Sequence, residues 1–93
     1  MKLFWSKRFI RDFKRLIRQN PQMSQLVKKT LEILTENYAE PSLRTHKLKG
    51  DLEGCWSCSI DYKFRVIFEF VNDPEDGSLA INLLTLGSHD DVY

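Results

Sequence analysis

The sequence predicts an α+β fold of order β-α-α-β-β-β, a helical hairpin packed on one face of a small, mainly antiparallel, twisted sheet. Two observations carry this. The first half holds two segments of helical period, and the last third holds runs of alternating or β-branched and aromatic residues. Helices grouped before strands argue for α+β rather than alternating α/β architecture. The length of 93 residues with 42% apolar content suits one small domain, residues 1–93.

Leu3-Phe4-Trp5 is a short apolar run that reads as a strand, and Ser6 is a suitable N-cap for the helix that follows. From Lys7 to Gln19, Phe9, Ile10, Phe13, Leu16 and Ile17 share one helical face, while Lys7, Arg11, Lys14 and Arg18 share the opposite one. Arg8 and Arg15 flank that cationic stripe, and Asp12 is the segment's only acid. Asn20-Pro21 marks the next start, with Asn20 as cap and Pro21 as first helical residue. The second helix covers residues 21–38, with Met23, Leu26, Val27, Leu31, Leu34 and Tyr38 as its apolar stripe. A basic loop spans residues 39–54, is broken by Pro41, Gly50 and Gly54, and either ends in or leads into a strand. Strands are expected at Cys55–Tyr62, Arg65–Val71 and Leu79–Leu86, the last two joined by a turn containing Asp73-Pro74-Glu75-Asp76-Gly77. Gly87 closes the last strand and a polar tail follows. The N-terminal strand joins the sheet at an edge or beside the last strand, and the face opposite the helices is left as a working surface.

Composition narrows the classes. No apolar run approaches the roughly 18 residues of a membrane span. The start of the chain lacks the apolar core of a signal peptide, so a cytoplasmic location is expected. Two cysteines cannot build a disulfide framework. The net charge of +1 hides an asymmetry: residues 1–50 carry 12 Lys/Arg against 4 Asp/Glu, and residues 51–93 carry 2 against 9. The positive half suits nucleic acid or an acidic protein segment; alternatively, the two halves neutralise one another in the fold.

Candidate chemistry is sparse. Cys55 and Cys58 have the spacing of a redox or zinc pair, but residues three apart on a strand point to opposite faces, and no second pair completes a tetrahedral site. His46 lies in the basic loop and His89 just after the final strand. Histidine suits proton transfer near neutrality, so the pair fits base and acid in phosphodiester cleavage; the alternative is two solvated loop histidines. Arg65 opens the central strand, where its guanidinium is either a fork for phosphate oxygens or half of an ion pair with Asp61 or Glu69. Lys49 adds a cation beside Gly50. Tyr93 is either a stacking platform for a base or a frayed terminal aromatic. The cationic stripe of the first helix is either a solvated face or a surface that tracks phosphates. No nucleophile elbow, phosphate-binding glycine loop or spaced acid cluster is present.

Three stretches in order resemble the RelE/ParE superfamily of type II toxins over nearly the full chain. Cys55-Trp56-Ser57 through Ile60, then Phe64-Arg65-Val66-Ile67-Phe68, is similar to the central strands of YoeB-like toxins. His46-Lys47-Leu48-Lys49-Gly50 resembles the loop of YoeB and YafQ toxins, and Gly87-Ser88-His89 with Val92-Tyr93 resembles the YafQ ending. The resemblance implies a RelE-like, microbial-RNase-like toxin that cleaves mRNA in the ribosomal A site. It implies no metal, no cofactor, and a cognate antitoxin that covers the toxin in a hetero-oligomer. It places His46 as general base, Arg65 on the scissile phosphate, His89 as general acid, Tyr93 against the substrate base, and Lys49 as a phosphate-stabilising cation. The chain departs from the YafQ pattern at Ser59 and Lys63, which stand where that type has a second histidine and an aspartate, and from the YoeB pattern at Cys58 and Ser59, which replace a basic pair. Two rival readings share the superfamily: a ParE-like toxin acting on DNA gyrase without catalysis, and an inactive homologue that only binds antitoxin.

Overall fold

The computed structural model describes residues 1–92. Strand β1 (Lys2–Trp5) leads into helices α1 (Lys7–Gln19) and α2 (Met23–Glu36). Short strands β2 (His46–Lys47) and β3 (Trp56–Ser59), long strands β4 (Phe64–Asn72) and β5 (Leu79–Ser88), and a final turn of helix α3 (His89–Val92) complete the chain. The five strands lie in the order β1-β5-β4-β3-β2. All neighbours are antiparallel except β1, which runs parallel to β5 at the sheet edge.

One core joins the helices to the sheet. Phe9 and Leu16 of α1, and Val27, Leu31 and Leu34 of α2, pack with Cys58, Val66, Phe68, Ile81, Leu83 and Leu86 from the strands. These strand residues alternate along β4 as the pleat requires, which sends Arg65, Ile67 and Glu69 to the opposite face. That second face is not bare. Ile67 and Ala80 are fully buried outside the main core, and α3 packs back on β4 and β5.

The α1–β5 junction is built around a bulge. Ile67 pairs with Thr85 and Phe68 with Leu83, so Leu84 is an extra residue in β5. Its carbonyl accepts a hydrogen bond from Ser6 Oγ (3.2 Å), and Ser6 Oγ in turn accepts from the Phe9 amide (3.0 Å), so Ser6 is the expected cap of α1. Asp12, one turn further on, is buried. Its Oδ2 accepts from Thr85 Oγ1 (2.6 Å) and from the Leu86 amide (3.3 Å). Arg8 and Arg15 approach the same carboxylate from the surface at 3.8 and 3.7 Å, so two members of the basic helix are partly neutralised within it.

Several boundaries differ from the sequence expectation. Asn20 closes α1 through its backbone instead of capping α2, which starts two residues later, after Gln22. The basic loop contains a strand of its own, β2, which makes five strands where the pattern suggested four. Strand β3 stops at Ser59 because Asp61 Oδ1 accepts the amides of Lys63 and Phe64 (2.9 and 2.7 Å), which turns the chain and leaves Tyr62 91% exposed. Strand β5 runs through Gly87 to Ser88, and the polar tail folds into α3. The β4–β5 hairpin closes at Gly77 (φ 74°), a left-handed position suited to glycine.

Replacing Asp12 with alanine leaves the Thr85 hydroxyl and the Leu86 amide buried without their acceptor. The expected loss is about 3 kcal/mol, read as a lower midpoint with an unchanged slope in urea unfolding.

Candidate active site

His46 is exposed on β2, the outermost strand. Its Nδ1 lies 2.9 Å from the carbonyl oxygen of Arg44. A carbonyl only accepts, so the hydrogen resides on Nδ1 and the lone pair of the neutral ring is on Nε2. The bond is local because Arg44 adopts a left-handed conformation (φ 51°) at the end of the Pro41–Leu43 3₁₀ turn, which costs about 1–2 kcal/mol for a residue with a Cβ.

Arg65 is half-buried on β4, opposite Ser59 of β3 and Gly87 of β5. Its Nη1 donates to the carbonyls of Asp61 (2.5 Å) and Phe64 (3.1 Å). The contact to Asp61 is thus through the backbone, while the carboxylate of that residue is occupied by the turn. The guanidinium is pinned by one corner and keeps its charge in a polar depression of about 240 Å³ that Ser59 and Arg44 also line.

His89 opens α3, directly after the last strand. Its amide donates to the Lys63 carbonyl (3.2 Å), and Ser88 before it pairs with Phe64. This puts His89 beside the start of β4, where Arg65 lies. Its Nδ1 is 3.9 Å from the Asp90 carboxylate. The register therefore places the arginine strand between the two histidine-bearing elements. With strands about 4.8 Å apart, β2 stands roughly 10 Å from β4.

Lys49 is not gathered with these residues. It lines a separate cleft of about 760 Å³ with Lys47, Leu48, Gly50, Cys55 and Trp56, where the Lys47 ammonium sits 5.4 Å from the Trp56 ring. Tyr93 lies outside the described residues. Residues that sequence reasoning passed over are Arg44 and Tyr62. A left-handed arginine carries no glycine signature, and Tyr62 falls where alternation extends the strand.

The cysteines are separate thiols. Cys58 is buried, and burial pushes its pKa up to about 12; Cys55 precedes β3 and is raised by burial and by the Glu69 carboxylate. Among the described residues no group of three or more His, Cys, Asp or Glu side chains is arranged to hold a metal ion. No described helix is long and apolar enough to cross a membrane.

Two helices on an open mixed sheet, with a bulged last strand leading into His89, form a RelE-like α+β fold. The family model for the bacterial toxin of type II toxin-antitoxin systems, YafQ, matches residues 1–93. The chain belongs to the YafQ family, and it is a toxin of a type II toxin-antitoxin system. A copper-bound mutant toxin from Helicobacter pylori is similar at 26% identity, with 100% of this chain and 99% of that one covered and a TM-score of 0.78. YafQ from E. coli shares the fold at 14% identity, covering 99% and 97%, with a TM-score of 0.79. In the E. coli DinJ-YafQ complex the corresponding values are 17%, 99% and 97%, with a TM-score of 0.74. No curated protein sequence matches the chain significantly.

The raised thiol has a consequence for stability. The unfolded chain releases the Cys58 proton near pH 9, while the native protein holds it to about 12. Native protein therefore binds more protons in that interval, and stability falls as pH rises, by about 1.4 kcal/mol per pH unit from this group. Urea unfolding between pH 9 and 11 is expected to show a shallower decline in a Cys58→Ala variant than in the wild type.

Proposed function

We propose that this toxin is an endoribonuclease that cuts mRNA in the ribosomal A site by general acid–base catalysis at His46, Arg65 and His89. The observation that carries the reading is the His46–Arg44 hydrogen bond, which presents Nε2 as a base. Support comes also from Arg65, held by backbone carbonyls instead of neutralised by a carboxylate, on the strand between the two histidine-bearing elements.

The chemistry follows from those roles. His46 Nε2 accepts the proton of an RNA 2′-hydroxyl as its oxygen attacks the adjacent phosphorus. Negative charge grows on the non-bridging oxygens, where the Arg65 guanidinium meets it; removing such a preorganised donor costs about 10²–10³ in rate. His89, protonated, donates to the departing 5′-oxygen. The products are a 2′,3′-cyclic phosphate and a 5′-hydroxyl. Each histidine is expected to contribute about 10²–10⁴. Lys49, on the separate cleft, is a further cation for the substrate backbone in this reading, and Tyr93 stacks on the substrate base.

A cognate antitoxin neutralises the toxin in this reading; a protein of the same fold is found in the E. coli DinJ-YafQ toxin-antitoxin complex. Lys7, Arg11, Lys14 and Arg18 are exposed on α1 and offer an acidic antitoxin segment a cationic face.

Induced expression followed by primer extension on translated messages tests the nuclease. The wild type is expected to cut within codons, and His46→Ala/His89→Ala to cut at least 10²-fold more slowly. Growth arrest with intact mRNA and DNA damage overturns the reading in favour of a gyrase-directed toxin. Separately, Arg11→Glu/Lys14→Glu/Arg18→Glu is expected to raise the antitoxin dissociation constant, with the difference shrinking as salt is added. An unchanged constant removes α1 from the interface.

A further inference from the structure

The depression that holds Arg65 contains more than the proposed mechanism uses. Arg44 reaches it from the end of the 3₁₀ turn, Ser59 from β3, and Asp61 and Tyr62 from the turn between β3 and β4. Two arginines and one aspartate are among the lining residues, so the residues around the depression are net cationic. The Asp61 carboxylate is itself engaged, through Oδ1, by the amides of Lys63 and Phe64. Those two bonds also fix the backbone of the turn that carries Tyr62, whose side chain is 91% exposed and not packed against the core.

We infer that this depression is a subsite for a nucleotide flanking the scissile phosphate, in which the Arg44 guanidinium binds the neighbouring phosphate and Tyr62 stacks on the base. The inference rests on the RNA reading above and extends it to two side chains to which the mechanism gives no role. Size supports the division of labour. At about 240 Å³ the depression falls below the roughly 300 Å³ at which pockets begin to enclose whole small ligands. It accommodates a phosphate and sugar, and leaves the base outside, where the exposed tyrosine stands. A base is available for such stacking only in single-stranded RNA, whose unstacked bases lie against aromatic rings. Arg44 would then serve twice: its carbonyl orients His46 and its side chain holds the strand, so base and substrate are positioned from one residue.

The test is binding of a 2′-O-methyl RNA tetranucleotide, which cannot undergo 2′-attack, measured by fluorescence anisotropy across a salt series. Tyr62→Ala is expected to weaken binding about tenfold, while Tyr62→Phe, which keeps the ring, stays close to wild type. Arg44→Ala, which retains the carbonyl that meets His46, is expected to weaken binding and make the logarithmic salt slope shallower by about 0.7. Arg44→Lys is expected to keep that slope but lose part of the affinity, since it lacks the fork. Wild-type affinity and slope in both alanine variants overturns the subsite, as does failure of the wild type to bind the RNA. Weakened variants together with a wild type that leaves mRNA uncut would uphold the subsite and overturn the nuclease. Unaffected variants together with cutting that depends on His46 would do the reverse.

Discussion

The attachment of α1 to the bulge in β5 is the constraint on which the rest of the molecule depends. Asp12 brings a buried carboxylate to Thr85 and Leu86, and Ser6 closes the Leu84 carbonyl that the bulge leaves unpaired. A buried carboxylate is tolerable only when its acceptor sites are filled and countercharge is near, and Arg8 and Arg15 supply the latter. The bulge in turn sets where β5 ends. Gly87 then lies beside Arg65, Ser88 beside Phe64, and His89 begins the last helix. A helix contact on one side of the sheet thus determines which residues flank the arginine.

Around Arg65 the structure spends backbone groups on positioning and leaves charge unneutralised. The guanidinium is held by carbonyls, the adjacent carboxylate is held by amides, and the imidazole of His46 is held by a carbonyl. Backbone dipoles fix orientation while leaving the formal charge of Arg65 in place. An Arg65–Asp61 side-chain ion pair would have cancelled the charge on which the proposed phosphate role rests. The neighbouring cleft of Lys47, Lys49 and Trp56 is different in kind: a lysine over an indole and flexible ammonium groups offer attraction without a fixed fork.

Much of the fold was legible in the sequence because it follows from periodicity. The apolar faces of α1 and α2, the Ser6 cap and the alternation in β4 all depend on residue type at fixed local spacing. The failures share a cause: each depended on where a group's hydrogen bonds go. Asn20 resembles a helix cap by type but is used through its backbone. Tyr62 continues the alternation of the preceding strand, yet Asp61 captures two amides and ends it. Asp12 reads as an isolated acid on a basic helix until Thr85, distant in sequence, supplies its partner. The candidate residues were chosen by type and by resemblance; the Arg44 carbonyl beside His46 was not foreseen, since a left-handed backbone at an arginine leaves no local sign.

The two ends of the proposed catalytic group stand on ground of unequal firmness. Arg65 belongs to a nine-residue strand paired on both sides, whereas His46 belongs to a two-residue strand at the sheet's rim, joined to one neighbour through two residue pairs. Local opening costs least where few bonds and little apolar burial must be given up. The rim strand can therefore peel away while the sheet stays assembled, carrying the proposed base out of register with the arginine. Loss of catalytic power would then precede loss of the native fold on warming. A partner that grips only the rim would have direct leverage over the chemistry without touching the arginine.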